Sequence, residues 1–322
     1  MDFSPSVYEH AAFHIGRTPW EASRDADLLF EAHAAAYRCY RHRPIVVGID
    51  IYNLEAEAHG GKVEPAHGTG IPAIKRPVLG SVAELARLAP LDPDRGGRIP
   101  MLLGVARRLA AAFPEAEVRV PVSGPFSIAS SLLGFESLLT AAYSEPEATR
   151  DALVHLVDGQ AAFCAAIRRA GLDVAFFESA AAPPLLSPDL FCRVELPALT
   201  AIMRRAAEVV GHPISCIIGG DTTPILDAML ATGTGYVVCP IETNQEAFMR
   251  KVWDRKEVRV RVNTLSHAMV YGTRQQLRAE FERICRLTAG RGNVCLGTGA
   301  LPYETPPENV LYLKELAAAE SA

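Results

Sequence analysis

Short apolar runs and longer amphipathic stretches alternate along most of the chain. Runs rich in Val, Ile and Phe occur at 44–50 (PIVVGID), 118–124 (VRVPVSG), 173–179 (DVAFFES) and 213–220 (PISCIIGG). Three more follow at 235–240 (GYVVCP), 258–263 (VRVRVN) and 293–299 (NVCLGTG). Each has the length of a strand, and the β-branched content fits strands buried on both faces. Between them, helical spacing of apolar residues marks 126–171, 188–210, 224–231, 244–254, 273–288 and 306–320. Ser144-x-x-Glu147 and Thr305-x-x-Glu308 have the spacing of capping boxes, while Ser187-Pro188 and Thr223-Pro224 read as N-cap-plus-proline starts.

Strands that alternate with helices become parallel neighbours joined by right-handed crossovers. No G-x-G-x-x-G turn follows an early strand, which argues against an open dinucleotide-binding sheet. The pattern therefore predicts an α/β fold, a (β/α)8 TIM barrel, as a single domain over 1–322. Seven strands are visible, and the eighth is expected within 11–17 or 62–74. Residues 1–43, with helical periodicity over 24–41, read as an N-terminal helical segment, and 44–322 as the barrel. The Gly- and Pro-rich stretch 60–80 is expected to be an ordered surface loop, placed where a lid would fit.

Composition narrows the function classes. With 322 residues, 49% of them hydrophobic, the chain has ample material for a core. A net charge of -5 lacks the clustered basic excess of a nucleic-acid binder. No apolar run is long enough for a bilayer span and no secretory leader opens the sequence, so no membrane role is expected. Seven scattered cysteines without a C-x-x-C pair fit reduced thiols and a cytoplasmic protein.

In a TIM barrel the C-terminal strand ends carry the chemistry. Those ends are Asp50, Ser123, Glu178 with Ser179, Asp221, Cys239 or Glu242, Asn263 and Thr298. Asp50, Glu178 and Ser179 are the candidate catalytic residues, because carboxylates gathered at one mouth raise one another's pKa and supply a general acid. Asp221 has a plainer alternative as a helix cap, and Glu178 as an arginine partner. Asn53 and Glu57 lie three and seven residues after Asp50, on one face if the chain turns helical there, and are candidate substrate contacts with Asp221, Glu242 and Asn263. His67 in the glycine-rich loop and His267 after a strand end complete the candidate set.

Six segments in order, GIDIYNLEAEAHG, GPFSIASSLLG, AGLDVAFFESAAAPPLLSPDLF, GGDTTPIL, VYGT and ETPPENV, resemble the uroporphyrinogen decarboxylase superfamily over about 44–315. The resemblance implies a TIM barrel and two candidate chemistries. Decarboxylases of that superfamily carry an arginine-rich N-terminal segment for a polycarboxylate substrate, which is missing here, although Asp50 and Ser179 match two of their site residues. Their tyrosine and histidine positions fall on Ser131 and Gly299. The cobamide-linked methyltransferases hold zinc with a histidine and two cysteines, whose positions fall on Ile217, Gly219 and Gly299, so no metal ligands are assigned. Strand alternation then turns Cys216 outward with His212, leaving both as structural residues. The resemblance implies a corrinoid-linked methyltransferase acting on a small methylated compound, with a corrinoid protein or free cobalamin as partner. A tetrapyrrole or smaller-acid decarboxylase and a non-catalytic corrinoid or porphyrin binder are the alternatives.

Overall fold

The computed structural model describes residues 1–320. Eight parallel strands make the barrel wall: β1 (Asp2–Ser6), β2 (Ile45–Val46), β5 (Val118–Ser123), β6 (Asp173–Phe177), β7 (Ser215–Cys216), β8 (Tyr236–Cys239), β9 (Arg259–Asn263) and β10 (Val294–Ala300). Two short antiparallel strands, β3 (Val63–Glu64) and β4 (Ala73–Ile74), form a separate hairpin. Ladders run β1-β10-β9-β8-β7 and β2-β5-β6. A parallel bridge between Phe177 and Ile217 joins β6 to β7, with Glu178 N donating to Ile217 O at 2.9 Å. Between β1 and β2, Ser4 Oγ donates to Arg43 O at 3.0 Å. The fold is a (β/α)8 barrel.

The eighth strand is neither 11–17 nor 62–74. The first lies in a short helix and turn, and the second spans the β3–β4 hairpin. The missing strand is β1, Asp2–Ser6, which pairs in parallel with β10. The barrel thus starts at the N-terminus, and 1–43 is not a purely helical segment. DFSPS hides its strand character because Pro5 has no N–H to donate, and the register shifts between Ser4 and Ser6. Helix Ala26–Tyr40 then packs on helix Ile99–Ala112 outside the wall.

The helix-start signals are borne out in part. Ser187 Oγ accepts from Leu190 N at 3.3 Å as an N-cap. Ser144 and Thr305 instead donate to backbone carbonyls behind them, and Thr223 pairs with Thr243. Capping boxes occur at Thr18 with Glu21 and at Thr273 with Gln276.

Strand alternation splits the apolar residues into two sets. Val118, Val120, Val122, Val174, Phe176, Val260 and Val262 face the helices in the main core. Inside the wall a small cluster of Tyr8, Ile51, Ala175 and Phe177 packs with Val46, Tyr52 and Ile217. Barrel interiors are normally filled by stacked layers of branched side chains. Here the small cluster leaves one cavity above it, at the C-terminal strand ends, and another below. No single helix among the described residues is long and apolar enough to cross a membrane.

Candidate active site

The upper cavity has a volume of about 530 Å³ and walls formed largely by Ile49, Ile51, Ile71, Phe177, Ile217 and Val238. Residues Ile71 to Ala73, at the end of the loop that the β3–β4 hairpin closes, cover part of it. Polar groups enter from the strand ends: Glu9 after β1, Asp50 and Asn53 after β2, Ser179 after β6, Glu242 after β8, and Asn263 on β9.

Asp50 is buried and held in place. Its oxygens accept from Arg98 Nη1 at 3.0 Å and Nη2 at 2.6 Å, and from Asn53 Nδ2 at 3.0 Å. Arg24 lies 3.6 Å away. Asn53 also donates to Pro72 O at 2.8 Å, which ties the covering segment to the aspartate. Glu57 stands behind this group rather than in the cavity, paired with Arg24 at 2.5 Å and Arg98 at 2.7 Å. The sequence expectation put Asp50, Asn53 and Glu57 on one face at the mouth as substrate contacts; Asp50 and Asn53 line the cavity and Glu57 does not, and two arginines join it to Asp50. A carboxylate in a bidentate guanidinium fork presents acceptors, an arrangement suited to orienting a bound molecule.

Glu178 does not share that cavity. Its strand neighbours Phe177 and Ser179 face the interior, and alternation sends Glu178 into the layer between wall and helices. There its carboxylate accepts from Phe126 N at 3.1 Å, Ser127 N at 3.3 Å and Ser127 Oγ at 2.6 Å, at the start of helix Pro125–Leu133. Gly124 makes the approach possible, since a Cβ there would overlap the Glu178 carboxylate. The fully buried Glu195 lies beside it, and burial followed by the charge of Glu178 pushes the Glu195 carboxyl well up. Glu178 is therefore a helix-capping group, and the catalytic role expected for it is withdrawn.

Ser179 lines the cavity, its Oγ 2.5 Å from the Tyr52 hydroxyl. Three other candidates fall outside. Asp221 accepts from Thr243 Oγ1 at 2.8 Å in a polar turn, His67 is exposed in the loop between β3 and β4, and His267 stacks on Tyr271 at a centroid distance of 4.9 Å. Glu242 sits exposed on the rim, and Asn263 is buried with its Oδ1 unpartnered.

Glu9 is the residue that sequence reasoning missed. It follows β1, lines the cavity, and is 8% exposed, with its Oε2 buried and unpartnered. Burial is the main cause that pushes its carboxyl up to about 7, with a further rise from the charge of Glu304. A carboxyl that keeps its proton near neutrality and faces an apolar cavity is suited to general-acid work. Its signal lay only in recognising β1 as a wall strand.

Ile217, Gly219 and Gly299 all line the cavity. These are the positions that the resemblance equates with zinc ligands, and here they carry an alkyl group and two hydrogens. The residues present do not fit a zinc site, and no cluster of three or more His, Cys, Asp or Glu occurs among the described residues. Cys216 is fully buried in the wall–helix layer, where burial pushes its thiol up. His212 pairs with Asp173 at 3.1 Å.

A family model for uroporphyrinogen decarboxylase matches residues 6–319, nearly the whole chain. The chain belongs to the uroporphyrinogen decarboxylase family. Among solved structures, a methyltransferase from Methanosarcina mazei superposes with a TM-score of 0.82 at 19% identity, covering 100% of this chain and 95% of that one. At that identity the likeness speaks for the shared fold. No curated protein matches the sequence.

Proposed function

We propose that this family member is an enzyme that removes a methyl group from a small oxygen- or nitrogen-linked methyl compound held in the upper cavity, with a corrinoid as methyl partner. The observation that carries the reading is Glu9: a carboxyl that lines the cavity, has an unpartnered oxygen, and is pushed by burial to about 7, near the working pH. Loss of a methyl group leaves a heteroatom that must be protonated, and Glu9 supplies that proton. Asp50, fixed by Arg98 and Asn53, holds the substrate's polar end by accepting a hydrogen bond. The Tyr52–Ser179 pair and Asn263 face the same space and set orientation. When bound, the corrinoid supplies the acceptor for the methyl group.

Two features weigh for this reading over tetrapyrrole decarboxylation. A volume of about 530 Å³ suits a drug-sized or smaller ligand. Arg24 and Arg98 are already committed to Asp50 and Glu57, leaving no ring of free cations at the mouth for a polycarboxylate. A methyltransferase from Methanosarcina mazei is built on the same fold.

The test is spectroscopic. Purified protein with reduced cobalamin and a panel of methoxy and methylamino compounds is expected to form methylcobalamin, seen as a change in the visible spectrum. Glu9→Gln and Asp50→Asn should each abolish it. Carbon dioxide release from uroporphyrinogen without corrinoid would replace this reading with the decarboxylase one. Tight corrinoid or porphyrin binding with no turnover of any compound would replace it with a binding protein.

A further inference from the structure

Below the interior cluster lies a second cavity, of about 390 Å³, at the N-terminal strand ends. In a packed barrel this level holds interlocking aliphatic side chains. Here its lining holds five arginines, Arg41 and Arg43 before β2, Arg119 on β5, and Arg259 and Arg261 on β9, against two acids, Asp2 and Glu117. The alternation of VRVRVN sends 259 and 261 inward, while Val260 and Val262 face the helices. Gly297 on β10 leaves the room for this, since a Cβ there would lie 2.5 Å from Arg261 Cγ.

The charges do not balance. Arg119 pairs with Glu117 and, at 3.4 Å, with Asp173, and Arg259 pairs with Asp2 at 2.6 Å. Arg261 is 7% exposed and forms no ion pair among the described residues. Its Nη1 donates to Ser6 Oγ at 3.0 Å, its Nε is buried without a partner, and its other polar neighbours are Tyr8, Tyr236 and the Cys295 thiol, none of them a carboxylate. Arg43 at the rim also forms no ion pair among the described residues. A guanidinium taken out of water without a counter-charge is costly, and the usual remedy is an anion. A void polar enough for such an anion sits directly against it.

We propose that this lower well binds a tetrahedral oxyanion, either free phosphate or the phosphate end of a small ester, with Arg261 as its buried anchor and Arg43 at the entrance. Arg43 and Arg261, the two without ion pairs among the described residues, line the well from different parts of the wall, which suits an anion with three or four acceptor oxygens better than a planar carboxylate with two. The site is separate from the upper cavity, although Ser6, Tyr8, Ile217 and Arg261 line both. An anion on Arg261 would thus touch a residue that also lines the chamber above.

Titration calorimetry and thermal denaturation of the full chain test this, with inorganic phosphate and glycerol phosphate as probes and sodium chloride at matched ionic strength as control. Saturable binding and a rise in Tm are expected, with affinity reduced more than tenfold in Arg261→Met and several-fold in Arg43→Ala, and unchanged in Arg250→Ala on the outer surface. Tighter binding of the ester would name the ester as the source, and tighter binding of phosphate the free ion. No saturable binding to the native chain overturns the proposal. So does undiminished affinity in Arg43→Ala and Arg259→Gln, which decide the matter should Arg261→Met fail to fold.

Discussion

Glu9 and Glu178 are both almost wholly removed from water, and burial pushes both carboxyls up to about 7. Their surroundings differ. Glu178 is enclosed by two backbone N–H groups and a serine hydroxyl at a helix start, with Glu195 at its back. Glu9 lines the upper cavity, and its Oε2 has no hydrogen-bond partner. Glu55 repeats the first pattern, accepting from Ser123 N at 2.7 Å and Ser123 Oγ at 2.9 Å while burial pushes it to about 7. A raised carboxyl pKa therefore records burial first, and a catalytic role not at all. What separates a working acid from a structural one is whether a substrate can reach its proton.

The largest consequence is in turnover. Glu9→Gln should lose about 10²- to 10⁴-fold in rate, the range of a general acid, with an unchanged circular dichroism spectrum. Glu178→Gln should stay within a few-fold of the native rate. The native rate should fall as pH rises through about 7, where Glu9 loses its proton, and that limb should vanish in Glu9→Gln.

Next is the clamp behind Asp50. Arg98→Met leaves the buried Asp50 and the half-buried Glu57 with only Arg24 between them, so chemical denaturation should show a loss of up to about 3–5 kcal/mol. The pH dependence of stability is a consequence the two glutamates share. A carboxyl whose folded pKa lies above its unfolded value adds stability that is complete below pH 4.5 and gone above about 7. Glu178→Gln lacks that loss, so its stability relative to the native chain should improve between pH 5 and 8, by at most about 3 kcal/mol. The smallest effect is Gly124→Ala, where crowding against Glu178 should cost about 1–3 kcal/mol in thermal melts and leave turnover nearly intact.

Much of the barrel was legible because its strands are β-branched runs set between amphipathic helices. β1 was not, since DFSPS has two serines, a proline and an aspartate, and its strand state comes from pairing with β10. Losing β1 also lost Glu9, the residue that follows it. Asp50, Ser179 and Asn263 were readable as strand ends. Glu178 was read as one too, but its direction depends on where alternation stands at the last residue. Phe177 inward means Glu178 outward, and a short apolar strand does not disclose that phase. Arg261 was within reach: once Asn263 is placed inward on VRVRVN, 261 follows on the same face. Arg98 was not, because its contact with Asp50 joins segments 48 residues apart through a loop.

Infrared difference spectroscopy reads the Glu9 carboxyl directly, as the protonated C=O band present in the native chain and missing from Glu9→Gln. The band should persist to near pH 7 and shift when a small ligand fills the upper cavity, while the corresponding Glu178 band stays put. A Glu9 carboxyl already ionised at pH 5, or one indifferent to every cavity ligand, would contradict its assignment as the proton donor.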